Sequence, residues 1–162
     1  MICRNCKNIK FLNIIKLGNQ PISSIFLKSK INIKKYHLDL YECNSCKLVQ
    51  LSKIPNLSEM YGDNYGYKTS ISNLMVSHLR KKFFEYKKKK FFKKNSNILD
   101  IGSNDGTFLN FFARQNTIYN LYGIDPSAKL FKNNYSKKIN LVIDFFSKNI
   151  ILDNIKKYSY NK

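Results

Sequence analysis

From Asn97 onward, apolar and polar positions fall into alternating short and long blocks. "NILDI" (97–101) reads as a buried strand, and "GTFLNFFARQ" (106–115) as a helix. "YNLYGID" (119–125) reads as a second strand. "PSAKLFKNNYS" (126–136) opens a second helix, with Pro126 suited to its first turn. "INLVID" (139–144) is a third strand. Strands alternating with helices predict a parallel α/β sheet. Upstream, Met75, Leu79, Phe83 and Tyr86 recur at helical spacing, which predicts a helix over about 71–90 with one buried stripe. Before it, "LSEMYGDNYGYKTS" (57–70) reads as a Tyr/Gly-rich loop, with turn signals at Gly62-Asp63 and Gly66. The pattern divides the chain into a cysteine-bearing segment (1–56), a loop and linking helix (57–95) and an α/β portion (96–162).

Four cysteines change this picture. They form two pairs, "CRNC" (Cys3, Cys6) and "CNSC" (Cys43, Cys46). CxxC spacing lets two thiolates from one tight turn reach the same metal, and two such turns complete a tetrahedral zinc site. The segment between the pairs is longer than in common short fingers, but a β-rich insert can occupy it. Four thiolates leave no open coordination position, so zinc here should hold structure rather than do chemistry. A thioredoxin-like CxxC would account for one pair, and four unmetallated thiols remain the plain alternative. Disulfides suit an oxidising compartment. The N-terminus has Cys3, Arg4 and Cys6 where an export signal needs an apolar stretch, so a cytoplasmic protein is expected. No apolar run is long enough for a membrane span.

The chain has 162 residues and a net charge of +19. Lys, Asn and Ile, all with A/T-rich codons, supply 66 of the residues, so codon bias accounts for much of the Lys content. Of the 29 basic residues only 3 are Arg. Arg is the usual choice for bidentate phosphate or base recognition, so its scarcity argues against a nucleic-acid partner. "RKKFFEYKKKKFFKK" (80–94) alternates basic and aromatic clusters. It reads as a solvated helix end whose Lys stems cover apolar surface. A nucleic-acid or membrane-surface patch is the alternative.

The remaining chemistry lies in "ILDIGSNDGTF" (98–108). A P-loop needs GxxxxGK[ST], but Gly102 and Gly106 are one residue too close and Thr107 stands where the Lys should be. A dinucleotide loop needs GxGxxG, and its second and third glycines fall on Asn104 and Thr107. S-adenosylmethionine (SAM) has no phosphates, and it fits better. Asp100 and the polar residues Ser103, Asn104 and Asp105 suit its ammonium and carboxylate. Gly102 and Gly106 allow close backbone approach. Asp125 ends the next strand, where an acid can accept hydrogen bonds from ribose hydroxyls. Two acids in ordinary βα turns are the plain alternative.

These residues carry a family resemblance. "CRNC", "LGNQPISSIFL" (17–27), "YHLDLYECNSCKLVQL" (36–51) and "MYGDNYGYKTSISNLMVSHL" (60–79) occur in order. "LDIGSNDGTFL" (99–109), "GIDPS" (123–127) and "IDFFS" (143–147) follow. The chain resembles the zinc-containing SAM-dependent sugar C-methyltransferases, which modify nucleotide-linked deoxysugars. The resemblance implies an α/β protein with a small N-terminal zinc-binding domain followed by a class I (Rossmann-like) SAM methyltransferase sheet. It implies that Gly102–Gly106 and Asp125 hold SAM. Tyr65 and Tyr67 resemble the family's paired aromatic residues and would orient a nucleotide-sugar substrate. Asp144, after the third strand, stands where such folds contact adenine. His78 falls on the predicted helix, where packing is the expected role.

The sequence departs from the family in length. Family members are more than twice as long, and this chain supplies about three of seven strands. The family's glutamate–histidine motif, which implies the general base, is absent, so no catalytic residue is assigned. The sequence therefore reads as a truncated or split methyltransferase, with a separately encoded C-terminal half as candidate partner. The alternative is a non-catalytic zinc-ribbon module that binds nucleic acid.

Overall fold

The computed structural model describes residues 1–22, 29, 32–62 and 65–154. Part of the 17–27 segment, and Asp63 of the expected turn, lie outside the described residues. The chain divides into two compact units, Met1–Gly66 and Tyr67–Lys162.

The first unit is a small antiparallel sheet. Strand β1 (Phe11–Pro21) pairs with β2 (Lys35–Cys43), which pairs with β3 (Val49–Leu51). The β1–β2 register shifts between Asn13 and Ile15, and again between Lys16 and Asn19, where Gly18 takes a left-handed φ of 67°. Such irregularities bend a strand and let the register continue. Phe11 opposes Cys43, so the start of β1 lies beside the end of β2. This register brings the two CxxC turns together at one end of the sheet. The described part of the insert between them is β-rich. A short helix α1 (Leu57–Tyr61) follows, capped by Asn56, whose side chain accepts from the Ser58 N–H.

The second unit is mixed α/β. A 3-10 turn (Thr69–Ile71) leads into helix α2 (Asn73–Lys88), and the Ser72 hydroxyl caps the Met75 N–H at 3.2 Å. Then come β4 (Asn97–Ile101), α3 (Thr107–Ala113), β5 (Asn120–Ile124), a 3-10 segment (Pro126–Asn134), β6 (Ile139–Val142) and α4 (Lys148–Asn154). The three strands are parallel, in the order β4-β5-β6. The core gathers Phe83 of α2, Ile98, Leu109, Phe112, Ala113, Leu121 and Ile139. The Phe83 ring meets Phe112 edge-on at 4.9 Å, a favourable aromatic geometry.

Three elements differ from the sequence expectation. The helix over 71–90 begins at Asn73, because Thr69–Ile71 forms a separate tight turn. Of its apolar stripe only Phe83 is buried; Met75 is 38% exposed, and His78 is exposed rather than packed. The second helix of the α/β portion is a 3-10 segment kinked at Phe131 (φ −123°). "NILDI" is only half buried. Ile98 faces the core, while Leu99 and Ile101, on the other face, are 38% and 54% exposed. Among the described residues β4 is an edge strand, with β5 as its neighbour. Three parallel strands make a small sheet, short of the full class I arrangement the resemblance implies.

Candidate functional site

Two sites can be built from the residues upward. In the first unit, Cys3, Cys6, Cys43 and Cys46 bring their sulfurs within 4.8 Å of one another. The Cys3–Cys46 and Cys6–Cys43 sulfurs are each 3.5 Å apart. Zinc–sulfur bonds of about 2.3 Å in a tetrahedron put sulfurs about 3.8 Å apart, so the cluster fits that ion. Cys3 and Cys43 are buried, whereas Cys6 is exposed. The second cysteine of each pair accepts a backbone hydrogen bond that stabilises the thiolate. The Leu48 N–H lowers the Cys46 pKa to about 6, and the Asn8 N–H lowers that of Cys6. Buried Gln50 on β3 locks the first turn: its Oε1 accepts the Arg4 N–H at 3.0 Å and its Nε2 donates to the Ile2 carbonyl.

The second site surrounds the loop after β4. Gly102 has φ 76° and donates its N–H to the Ile124 carbonyl at 2.8 Å, fastening the loop to β5. Gly106 starts α3 at φ 74°, and a Cβ there would lie 2.7 Å from the Tyr135 ring. Asn104, at φ 50°, is a left-handed non-glycine residue. Asp100 and Asp125 stand at the carboxyl ends of adjacent parallel strands, the usual ligand position in open α/β sheets. A cavity of about 170 Å³ adjoins the loop. Tyr67, Thr69, Asp100, Ser103 and Thr107 form its polar side, and Met75, Leu79 and Phe108 its apolar side.

The acids differ in state. Burial, with the Asp125 charge added, raises the Asp100 pKa to about 6. Asp105 is buried, yet the hydrogen bonds of Thr107 and Ser70 outweigh desolvation and hold its pKa below the usual value. Asp125 accepts the Asn104 N–H at 2.9 Å on one oxygen, and the Ser127 N–H and hydroxyl on the other. Ser103 Oγ lies 2.8 Å from the Tyr135 hydroxyl, which donates to the Asn104 carbonyl.

The structure therefore groups Asp100, Gly102, Ser103, Asn104, Asp105, Gly106 and Asp125. Of these, Asp100, Gly102 and Ser103 line the cavity, as does Tyr67. Tyr65 belongs to the first unit, where its ring lies 5.4 Å from that of Tyr61. Asp144 is exposed after β6, and its side chain accepts the Phe145 N–H. Tyr135, Thr69 and Ser70 were not expected at the site. The Thr-Ser pair following the tyrosines was a readable signal; Tyr135 had none.

Comparison with known proteins bears on the first site. Residues 3–61 match the Methyltransf_13 family model, described as "Putative zinc binding domain". The match lies within the first unit and likens it to the zinc-binding domain of a methyltransferase-associated family. The four-cysteine cluster lies within the matched residues and supports zinc there. No curated protein matches the chain. No helix among the described residues is long and apolar enough to cross a membrane.

Proposed function

We propose that this chain is the zinc- and cofactor-binding portion of a SAM-dependent C-methyltransferase acting on a nucleotide-linked ketosugar. The observation that carries this reading is the placement of Asp100 and Asp125 at neighbouring strand ends flanking Gly102–Gly106. The methyltransferase-associated zinc domain upstream supports it. SAM would supply an electrophilic methyl on a cationic sulfonium. Asp100, half-neutral near pH 6 because it is desolvated, gains most from a cation placed beside it. Asp125 would accept from the ribose hydroxyls, while Gly102, with open space where a Cβ would stand, lets a ligand approach the loop backbone and Gly106 makes room for the Tyr135 ring. Zinc would fix the first unit and take no part in the chemistry.

C-methylation needs a base within hydrogen-bond reach of the proton beside the ketone. We assign that base to no residue of this chain. The partner substrate is a nucleotide sugar, with Tyr65 and Tyr67 as its candidate contacts, and Asp144 as a candidate adenine-side residue. The test is photo-crosslinking of radiolabelled SAM to the zinc-loaded chain. Labelling competed by S-adenosylhomocysteine but not by ATP or NAD supports the reading; labelling competed equally by all three removes it.

A second reading, nucleic-acid binding through α2 and the residues after it, has one observation behind it. Phe84 and Phe91 are 57% and 61% exposed among lysines. It requires RNA or DNA binding with a steep salt slope that Phe84→Ala weakens.

A further inference from the structure

Asn104 is buried, and its polar groups reach three separate parts of the second unit. Its side-chain oxygen accepts the Thr69 N–H at 2.8 Å and the Thr69 hydroxyl at 3.0 Å. Its side-chain nitrogen donates to the Tyr67 carbonyl at 3.1 Å. Its main-chain N–H goes to Asp125 and its carbonyl accepts from Tyr135. Next to it, Asp105 accepts the Ser70 N–H at 2.9 Å. The side-chain amide that the sequence offers to a ligand is thus spent on the chain itself. What it holds is the segment Tyr67–Ser70, which contributes Tyr67 and Thr69 to the cavity wall.

We propose that Asn104 is a positioning residue: it clasps the Tyr67–Ser70 strap against the glycine loop and so fixes one wall of the pocket, without touching the ligand through its side chain. This rests on the SAM reading of that pocket. Its physical logic is satisfaction of buried groups. Thr69 is buried, and its N–H and hydroxyl both find their acceptor in Asn104. Removing that acceptor leaves two donors to be rehydrated, and the strap must open to reach water. Asn also tolerates the left-handed backbone of φ 50°, which most residues with a Cβ resist. The position thus calls for a residue that supplies an amide and accepts this turn.

Asn104→Gly keeps the left-handed backbone and deletes the amide. Thr69→Val is a milder second variant that leaves the loop untouched. Hydrogen exchange of the 67–71 segment and calorimetric SAM affinity are measured on the zinc-loaded chain. Asn104→Gly should speed exchange of the Thr69 amide by about tenfold or more and weaken SAM binding by a similar factor. Thr69→Val should give smaller changes in the same direction. With 3-fluorotyrosine at position 67, SAM should shift the fluorine signal in the wild-type chain and less so in both variants. Unchanged exchange in Asn104→Gly overturns the clasp. Lost affinity with unchanged exchange makes Asn104 a direct contact, and faster exchange with unchanged affinity removes the strap from the pocket wall; either overturns the proposal. If the wild-type chain binds no SAM, the cofactor reading has failed, and the exchange result alone decides whether the clasp exists.

Discussion

Lys7 and Lys47 occupy the same place in two copies of one turn, at φ 64° and 63°. Each follows the second cysteine of its pair and donates its N–H to the carbonyl of the first, at 3.1 and 3.0 Å. The first cysteine in turn donates its N–H to the carbonyl of the residue after the lysine, at 2.9 Å in both copies. The zinc site is therefore two near-identical half-sites.

The left-handed conformation costs a non-glycine residue about 1–2 kcal/mol, part of which glycine regains at the expense of a more flexible unfolded chain. Lys7→Gly and Lys47→Gly should each stabilise the zinc-loaded first unit by about 0.5–1 kcal/mol in denaturant unfolding. Lys47→Val should destabilise it. The reverse order would mean that these turns do not require a positive φ.

Metal content gives a second check. Wild-type chain should bind one zinc, and Cys43→Ser should lose it, since a buried hydroxyl replaces a thiolate ligand. Chelation should unprotect β1–β3 in hydrogen exchange, because that register is anchored where the cysteines meet. The core strand β5 should keep its protection.

Asp100 makes stability depend on pH. Its folded pKa of about 6 lies above the ordinary value of 3.8, so the folded state binds more protons between these values. Stability therefore falls as pH rises through that window, and the full cost is present above about pH 6. Asp100→Asn should be more stable than wild type by about 1–3 kcal/mol at neutral pH, with the difference vanishing below about pH 4. A cationic ligand beside Asp100 favours its ionised form, so SAM affinity should rise with pH up to about 6 in wild type and stay flat in Asp100→Asn.

Among the described residues β4 is an edge strand, and Leu99 and Ile101 expose apolar side chains on one of its faces. Such an edge promotes strand pairing between chains. Ile101→Lys should reduce self-association in sedimentation and raise solubility, with little loss of stability, since that side chain is 54% exposed. Association unchanged by the charge would place the sticky surface elsewhere.

Much of this was legible in the sequence. The CxxC pairs announced the metal site, because ligand spacing is local. The strand–helix alternation after Asn97 announced the parallel sheet. What the sequence hid was mostly non-local. The glycine loop's dependence on Tyr135 joins residues about thirty positions apart. Ser103, Asn104 and Asp105 read from the sequence as polar ligand contacts, and the structure adds that Asn104 and Asp105 turn their side chains to Thr69 and Ser70. Residue type gives the chemistry available, and only packing decides which partner uses it. The helical stripe follows a related rule: spacing at 3.6 residues marks a face, and of that face only Phe83 is fully buried.

Calorimetric titration of the zinc-loaded 162-residue chain with SAM tests the central claim most directly. One site should appear, weakened about tenfold or more by Asp125→Asn, since that change puts an amide donor where a carboxylate oxygen accepts and leaves fewer lone pairs for the ribose hydroxyls. No heat at millimolar SAM, or equal affinity in wild type and Asp125→Asn, would contradict it.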